Sequence, residues 1–242
     1  MKPHFIAKCG FLFLSKNQAK VGYILNIETA TKNCSVALAQ NGQIVLCKEI
    51  AGEGYSHAEQ LHVFIEECIQ EASISFSDLE AVAVSQGPGS YTGLRIGVSA
   101  AKGLCFALSI PLVAVDTLQS LASQVTISDG LIVPMLDARR MEVYSAVFDT
   151  NWQKARAIQA EILTEYSFDS YTETLYFVGD CLPKCQTVLT KPNFVFLENI
   201  QYPSAKEMAK WSFEKFQNKQ FEDVAYFEPY YLKDFMVTTS KK

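Results

Sequence analysis

The chain has 242 residues, 49% of them hydrophobic and 19% charged, with 21 Lys and Arg against 26 Asp and Glu. That length can bury a sizeable core, and the apolar content with 12 Gly and 8 Pro excludes a disordered or fibrous chain. A net charge of −5 argues against a protein that grips nucleic acid by bulk charge, leaving room only for a local basic patch.

Residues 1–20 hold four lysines around the short apolar run Cys9–Leu14. That run falls below a signal core of roughly 7–15 residues and far below the roughly 20 residues of a membrane span. The segment reads as an N-terminal extension, either disordered or upstream of a start near Val21. With no targeting or membrane signal recognised, the expected location is the cytoplasm. The seven cysteines follow no framework spacing, and Cys34, Cys47, Cys68 and Cys105 sit in apolar segments, which suits free thiols. Cys181-Leu-Pro-Lys-Cys185 lacks the second ligand pair that structural zinc requires.

Folded patterning starts after Val21. Tyr23–Thr29, Cys34–Gln40 and Gln43–Ile50 predict three strands, and Asn41-Gly42 predicts a tight hairpin between the second and third. A helix is expected over Ser56–Ala72, a strand over Ala81–Ser85, a helix over Tyr91–Leu108, a strand over Leu112–Val115 and a helix over Leu118–Val125. Three strands followed by helix, strand and helix is the order of the ribonuclease-H-like lobes of actin and sugar kinases. Beyond a boundary near Asp116, strands are expected at Leu131–Leu136, Glu142–Phe148, Ala157–Leu163, Leu175–Val178 and Phe194–Leu197, and a helix at Ser204–Phe216. The organisation is thus an extension (1–20), an N-terminal lobe (21–116) and a C-terminal lobe (117–242). No sequence repeat links the two lobes.

Three segments could carry chemistry. Ser85-Gln-Gly-Pro-Gly-Ser90 leads a strand into a helix, so Gly87, Gly89 and Ser90 could cradle an anion on backbone N–H groups. It lacks the Lys of a P-loop and the third glycine of a dinucleotide fingerprint, and a plain tight turn explains it as well. Glu28, Thr29 and Thr31 end the first strand, where a hairpin could meet nucleotide phosphates or simply satisfy its own turn. Asp137, Arg139 and Arg140 form either an anion site or, by preference, an internal brace. His57 and His62 flank a glutamate but lie five apart, about 140° around a helix, which speaks against a shared metal.

The helix over Tyr91–Leu108 carries only two charges, Arg95 and Lys102, seven apart. Small residues recur at four-residue steps in two sets, Gly93, Gly97 and Ala101, and Ser99, Gly103 and Ala107. Such a helix is either central core or an interface that lets another backbone approach. In the preceding helix Val63 stands in the middle of the polar arc.

Ile24–Thr31, Cys34–Leu38, Ser56-His-Ala-Glu59, Ser85–Leu104, Asp137–Tyr144 and Pro229-Tyr-Tyr-Leu232 together resemble the TsaB (YeaZ) family, over about Gly22–Leu232. The block Gly87-Pro-Gly-Ser-Tyr-Thr-Gly-Leu-Arg95 is shared by TsaB and its paralogue TsaD, and Asp137-Ala-Arg-Arg140 points to TsaB within that pair. The resemblance implies a two-lobed α/β actin-like fold and a non-catalytic subunit of tRNA threonylcarbamoyladenosine synthesis. It implies pairing with a TsaD-like transferase, recruitment of a TsaE-like ATPase, a homodimer when alone, tRNA contact mainly through partners, and no cofactor or metal beyond weak nucleotide binding. It places the partner interface on the first two helices, at Ser56, His57, Leu61, Val63, Phe64, Tyr91, Gly93, Arg95, Gly97 and Ala101. Glu28 stands where many members have Asp. An ATP-binding actin-fold enzyme and a metalloprotease-like relative are the alternatives.

Overall fold

The structure, a computed structural model, describes residues 22–52 and 57–232. The expected N-terminal extension and the expected helix start at Ser56 lie outside the described residues. Two five-stranded mixed sheets form the frame. The first contains β1 (Tyr23–Glu28), β2 (Asn33–Gln40), β3 (Gln43–Ala51), β4 (Leu79–Ser85) and β5 (Leu112–Val115), ordered β3-β2-β1-β4-β5. The second contains β6 (Leu131–Asp137), β7 (Glu142–Phe148), β8 (Lys154–Ile162), β9 (Leu175–Gly179) and β10 (Phe194–Phe196), ordered β10-β9-β6-β7-β8.

Read from opposite ends, the two orders coincide. Each sheet is an antiparallel three-strand meander whose first strand also pairs in parallel with the fourth, and the fourth with the fifth. This is the two-lobed actin-like arrangement, and it repeats in structure what does not repeat in sequence. The β2–β3 turn is closed by Asn41 and Gly42 at φ 52° and 75°, the left-handed pair that a two-residue hairpin needs.

The outer face of the first sheet is covered by α1 (His57–Glu71) and α2 (Tyr91–Leu108). In α1, Leu61, Ile65, Cys68 and Ile69 are buried at helical spacing against β1, β2 and β4 side chains. Ser90 caps α2 by accepting from the Gly93 N–H at 3.2 Å. Asp116, at the expected lobe boundary, caps α3 (Thr117–Ala122), accepting from the N–H groups of Leu118 and Gln119. Helix α3 packs on β6, β7 and β9, whereas α5 (Ala205–Gln217), capped by Ser204, packs on β1, β2 and β5. Each inner helix therefore sits between the sheets. Of the span 117–242, residues 205–217 lie against the first sheet, and residues 222–232 against its β5 edge and α2. The second lobe has the four-residue α4 (Leu182–Cys185) where the first has the long α2.

Candidate functional site

The β1–β2 hairpin turns its polar groups inward. Glu28, at the end of β1, is fully buried; its Oε1 accepts from the Ala30 N–H at 2.6 Å, while Oε2 has no hydrogen-bond partner among the described residues. Burial pushes its carboxyl up to about 7, an effect partly offset by the Ala30 N–H and the nearby Ser85 hydroxyl. The Thr29 hydroxyl donates to the Gly93 carbonyl at 2.8 Å, and Thr31 Oγ1 accepts from the Asn33 N–H.

The glycine loop is committed in the same way. The Gly87 N–H donates to Thr117 Oγ1 and the Ser90 N–H to the Ala30 carbonyl. A Cβ at Gly89 would collide with the Ala30 carbonyl, so this residue must be glycine for the loop to lie on the hairpin. Two of the N–H groups expected to cradle an anion, those of Gly87 and Ser90, are therefore held by the chain's own acceptors. In the second lobe, Gly179 and Asp180 at the end of β9 are likewise used. Gly179 is pressed on the Met135 carbonyl at φ 132°, and Asp180 Oδ1 accepts from the Asp137 N–H.

Asp137, expected to brace its turn with two arginines, does so with Lys184. The two form an ion pair, and Lys184 also donates to the carbonyls of Arg140 and Glu142. Asp137 Oδ1 further accepts from the Arg139 N–H at 2.8 Å. Arg139 and Arg140 take left-handed backbone angles, their side chains are exposed, and neither has an ion pair among the described residues. The lysine lies 44 to 47 positions away, so the local sequence could not reveal it.

The outward side of α1 and α2 is different. A groove of about 790 Å³ runs between them, lined by Ala58, His62, Ile65 and Glu66 of α1, by Phe76, and by Tyr91, Thr92, Arg95, Ile96, Ser99, Ala100, Gly103 and Leu104 of α2. Val63 is 46% exposed and Phe106 83% exposed on the same two helices. Gly103 has no heavy atom within 4 Å of a Cβ placed on it.

Part of the expected interface lies elsewhere. Gly93, Gly97 and Ala101 are buried, and Cβ atoms at Gly93 and Gly97 would strike the backbone and side chain of Thr29. That set lets α2 sit on its own lobe's hairpin, and the second set, led by Ser99 and Gly103, faces out. Leu61 is fully buried and Phe64 is half-buried in the lobe's core, while Val63, Tyr91 and Arg95 remain at the surface. His57 Nε2 lies 2.7 Å from the Thr31 carbonyl, and His62 lines the groove, so the two imidazoles have separate surroundings. Among the described residues, no group of three His, Cys, Asp or Glu could hold a metal ion, and no helix is long and apolar enough to cross a membrane.

A second depression, of about 580 Å³, is polar. Lys32, Asn33, Glu49, Ser204, Lys206 and the connector residues Asn199, Gln201 and Tyr202 are among its lining. Glu49 accepts there from the Ser204 hydroxyl at 2.6 Å and lies 3.5 Å from the Lys206 ammonium.

The model of the family described as TsaD, tRNA N6-adenosine threonylcarbamoyltransferase, matches residues 51–236. The Bacillus subtilis tRNA threonylcarbamoyladenosine biosynthesis protein TsaB is 36% identical over 125 residues, covering 52% of this chain and 54% of that protein. The chain belongs to this family, on its TsaB (YeaZ) branch. A Pseudomonas aeruginosa structure described as similar to peptidase YEAZ superposes on the TsaB-branch chain with a TM-score of 0.75 and 25% identity. It covers 88% of this chain and 100% of its own. A Geobacillus kaustophilus tRNA N6-adenosine threonylcarbamoyltransferase is 39% identical over 108 residues, 38% of this chain and 32% of the enzyme. In sequence, the chain spans about half the length of the curated TsaB relatives it matches.

Proposed function

We propose that this chain is a non-catalytic subunit in the synthesis of threonylcarbamoyladenosine in tRNA, and that it docks a TsaD-type transferase through the outward face of α1 and α2. The observation that carries the reading is an open, largely apolar groove on this helix pair, in a TsaB-branch chain whose Thr29 hydroxyl and Gly87 N–H are spent on internal hydrogen bonds. An apolar surface of this kind is seldom left unpartnered. Without the transferase, the same face pairs two copies of the chain. The transferase supplies the chemistry, and the assembled pair receives a TsaE-type ATPase and contacts tRNA mainly through the partners, in the cytoplasm.

The test is co-sedimentation of the chain with a TsaD-type subunit. A stable complex that Val63→Asp weakens by at least about tenfold is expected, the scale of a buried interface position given an uncompensated charge. No complex at micromolar concentration contradicts the reading, and a chain that stays monomeric at high concentration contradicts the self-pairing. A second reading, nucleotide binding, is favoured by the polar depression beside Lys32 and Lys206. Titration calorimetry of the isolated chain with ATP decides it: heat lost in Lys32→Ala supports it, and no heat removes it.

A further inference from the structure

After α5 the chain leaves the inner face of the first sheet and runs over its edge onto α2. The Glu222 N–H donates to the Leu112 carbonyl at 2.9 Å, adding one antiparallel bridge to the edge of β5. Asp223 then closes a turn, accepting from the N–H groups of Ala225 and Tyr226. Val224 and Phe227 lie half-buried against the lobe's outer core. The Tyr230 N–H donates to the Gln86 carbonyl at 2.7 Å, tying residues 222–232 to the glycine loop.

The two charges of α2 both meet this strap. Lys102 Nζ donates to the carbonyls of Ala225 and Phe227, at 3.0 and 3.1 Å. Arg95 Nε donates to the Tyr231 hydroxyl at 3.2 Å, and its guanidinium lies 4.1 Å from the centre of the Tyr91 ring. The Tyr231 ring is 5.0 Å from the Tyr91 ring. Tyr91 and Arg95 are also lining residues of the α1–α2 groove. No residue of 222–232 is fully buried, and Tyr226 is 84% exposed. A segment held by a few polar contacts and by half-buried side chains, none of them fully buried, opens locally at low cost while the rest stays folded.

We propose that this strap is a clasp for the docking face. Seated, it fixes Tyr91 and Arg95 as one rim of the groove; released, it leaves that rim unsupported and the transferase subunit loosely held. The inference rests on the docking function proposed above. Lys102 is its positioning residue: it touches no partner but holds the strap that holds the rim. Because coupling between two equilibria is reciprocal, the bound partner in turn holds the strap closed.

The test uses the full chain and a TsaD-type subunit, reading partner affinity and hydrogen exchange at the Phe227 and Tyr230 amides. Lys102→Met removes the ammonium but keeps the apolar stem, and the fold persists because this ammonium bonds only the strap among the described residues. Expected are strap exchange at least about fivefold faster and partner affinity lower by about tenfold, the scale of lost charge-assisted hydrogen bonds. Lys102→Arg, still a donor, retains both properties, and adding the partner to the parent chain slows strap exchange. Unchanged strap exchange in Lys102→Met overturns the clasp. So does a loosened strap with unchanged affinity, while Val63→Asp still weakens the complex. If Val63→Asp binds like the parent, the docking function itself fails and the clasp falls with it.

Discussion

Glu28 is the residue whose environment makes the sharpest demand. Its carboxyl faces the Ala30 N–H, the Ser85 hydroxyl and the Cys34 thiol, and burial raises it from 4.5 to about 7. A raised folded-state value means the fold holds the proton more tightly than the unfolded chain does. The stability this gives is fully present below about pH 4.5 and is lost as pH rises to about 7. Glu207, also raised to about 7 by burial, adds to the same fall. The unfolding midpoint should therefore drop from pH 5 to pH 8, and Glu28→Gln should flatten part of that drop; parallel profiles for parent and variant would contradict the assignment. The thiols of β2, β3, α1 and α2 make a companion demand. Burial pushes Cys34, Cys47 and Cys105 up to about 11 and Cys68 to about 12. Since the thiolate is the reactive form, a thiol reagent at pH 7 should label these four slowly in the folded chain and quickly in denaturant. Rapid labelling of the native chain would show that the core opens.

At the scale of elements, α2 carries the argument because its two small-residue sets do opposite things. Gly97→Leu drives a side chain into Thr29 and should cost at least about 1–3 kcal/mol of stability, the usual scale of overpacking. Gly103→Leu points into open space and should leave the melting midpoint unchanged while weakening association. Thermal melts and sedimentation on both variants separate the two outcomes. Spacing made both sets visible in the sequence but could not say which one faces the sheet. The deciding contact is Thr29 to Gly93, 64 positions apart, and nothing local encodes it. The two lone charges of α2 had the same fate. Arg95 and Lys102 stand out in an otherwise uncharged helix, yet their partners are strap atoms more than 120 positions downstream. The strands, by contrast, were legible one by one, since Asn41-Gly42 and the alternation of β-branched runs depend only on neighbours.

For the whole molecule, the three-strand start followed by helix, strand and helix was enough to read the actin-like first lobe. The second lobe was harder, because its long outer helix is replaced by the four-residue α4 and its β8 begins at Lys154, before the apolar run. The crossing of α3 and α5 onto opposite sheets is a tertiary choice that their own amphipathic patterns leave open. The proposed function amounts to a division of surfaces: inner helices lie between the sheets, and the outer pair, α1 and α2, carries the proposed docking face. The most direct test of that division is reconstituted threonylcarbamoyl transfer to tRNA with the transferase, the ATPase and the activated donor. It compares reactions without this chain, with the parent chain, and with a folded chain carrying Val63→Asp and Gly103→Leu. Activity that requires the parent and is lost with the folded double variant is predicted; activity indifferent to the chain, or undiminished by the double variant, would contradict the account.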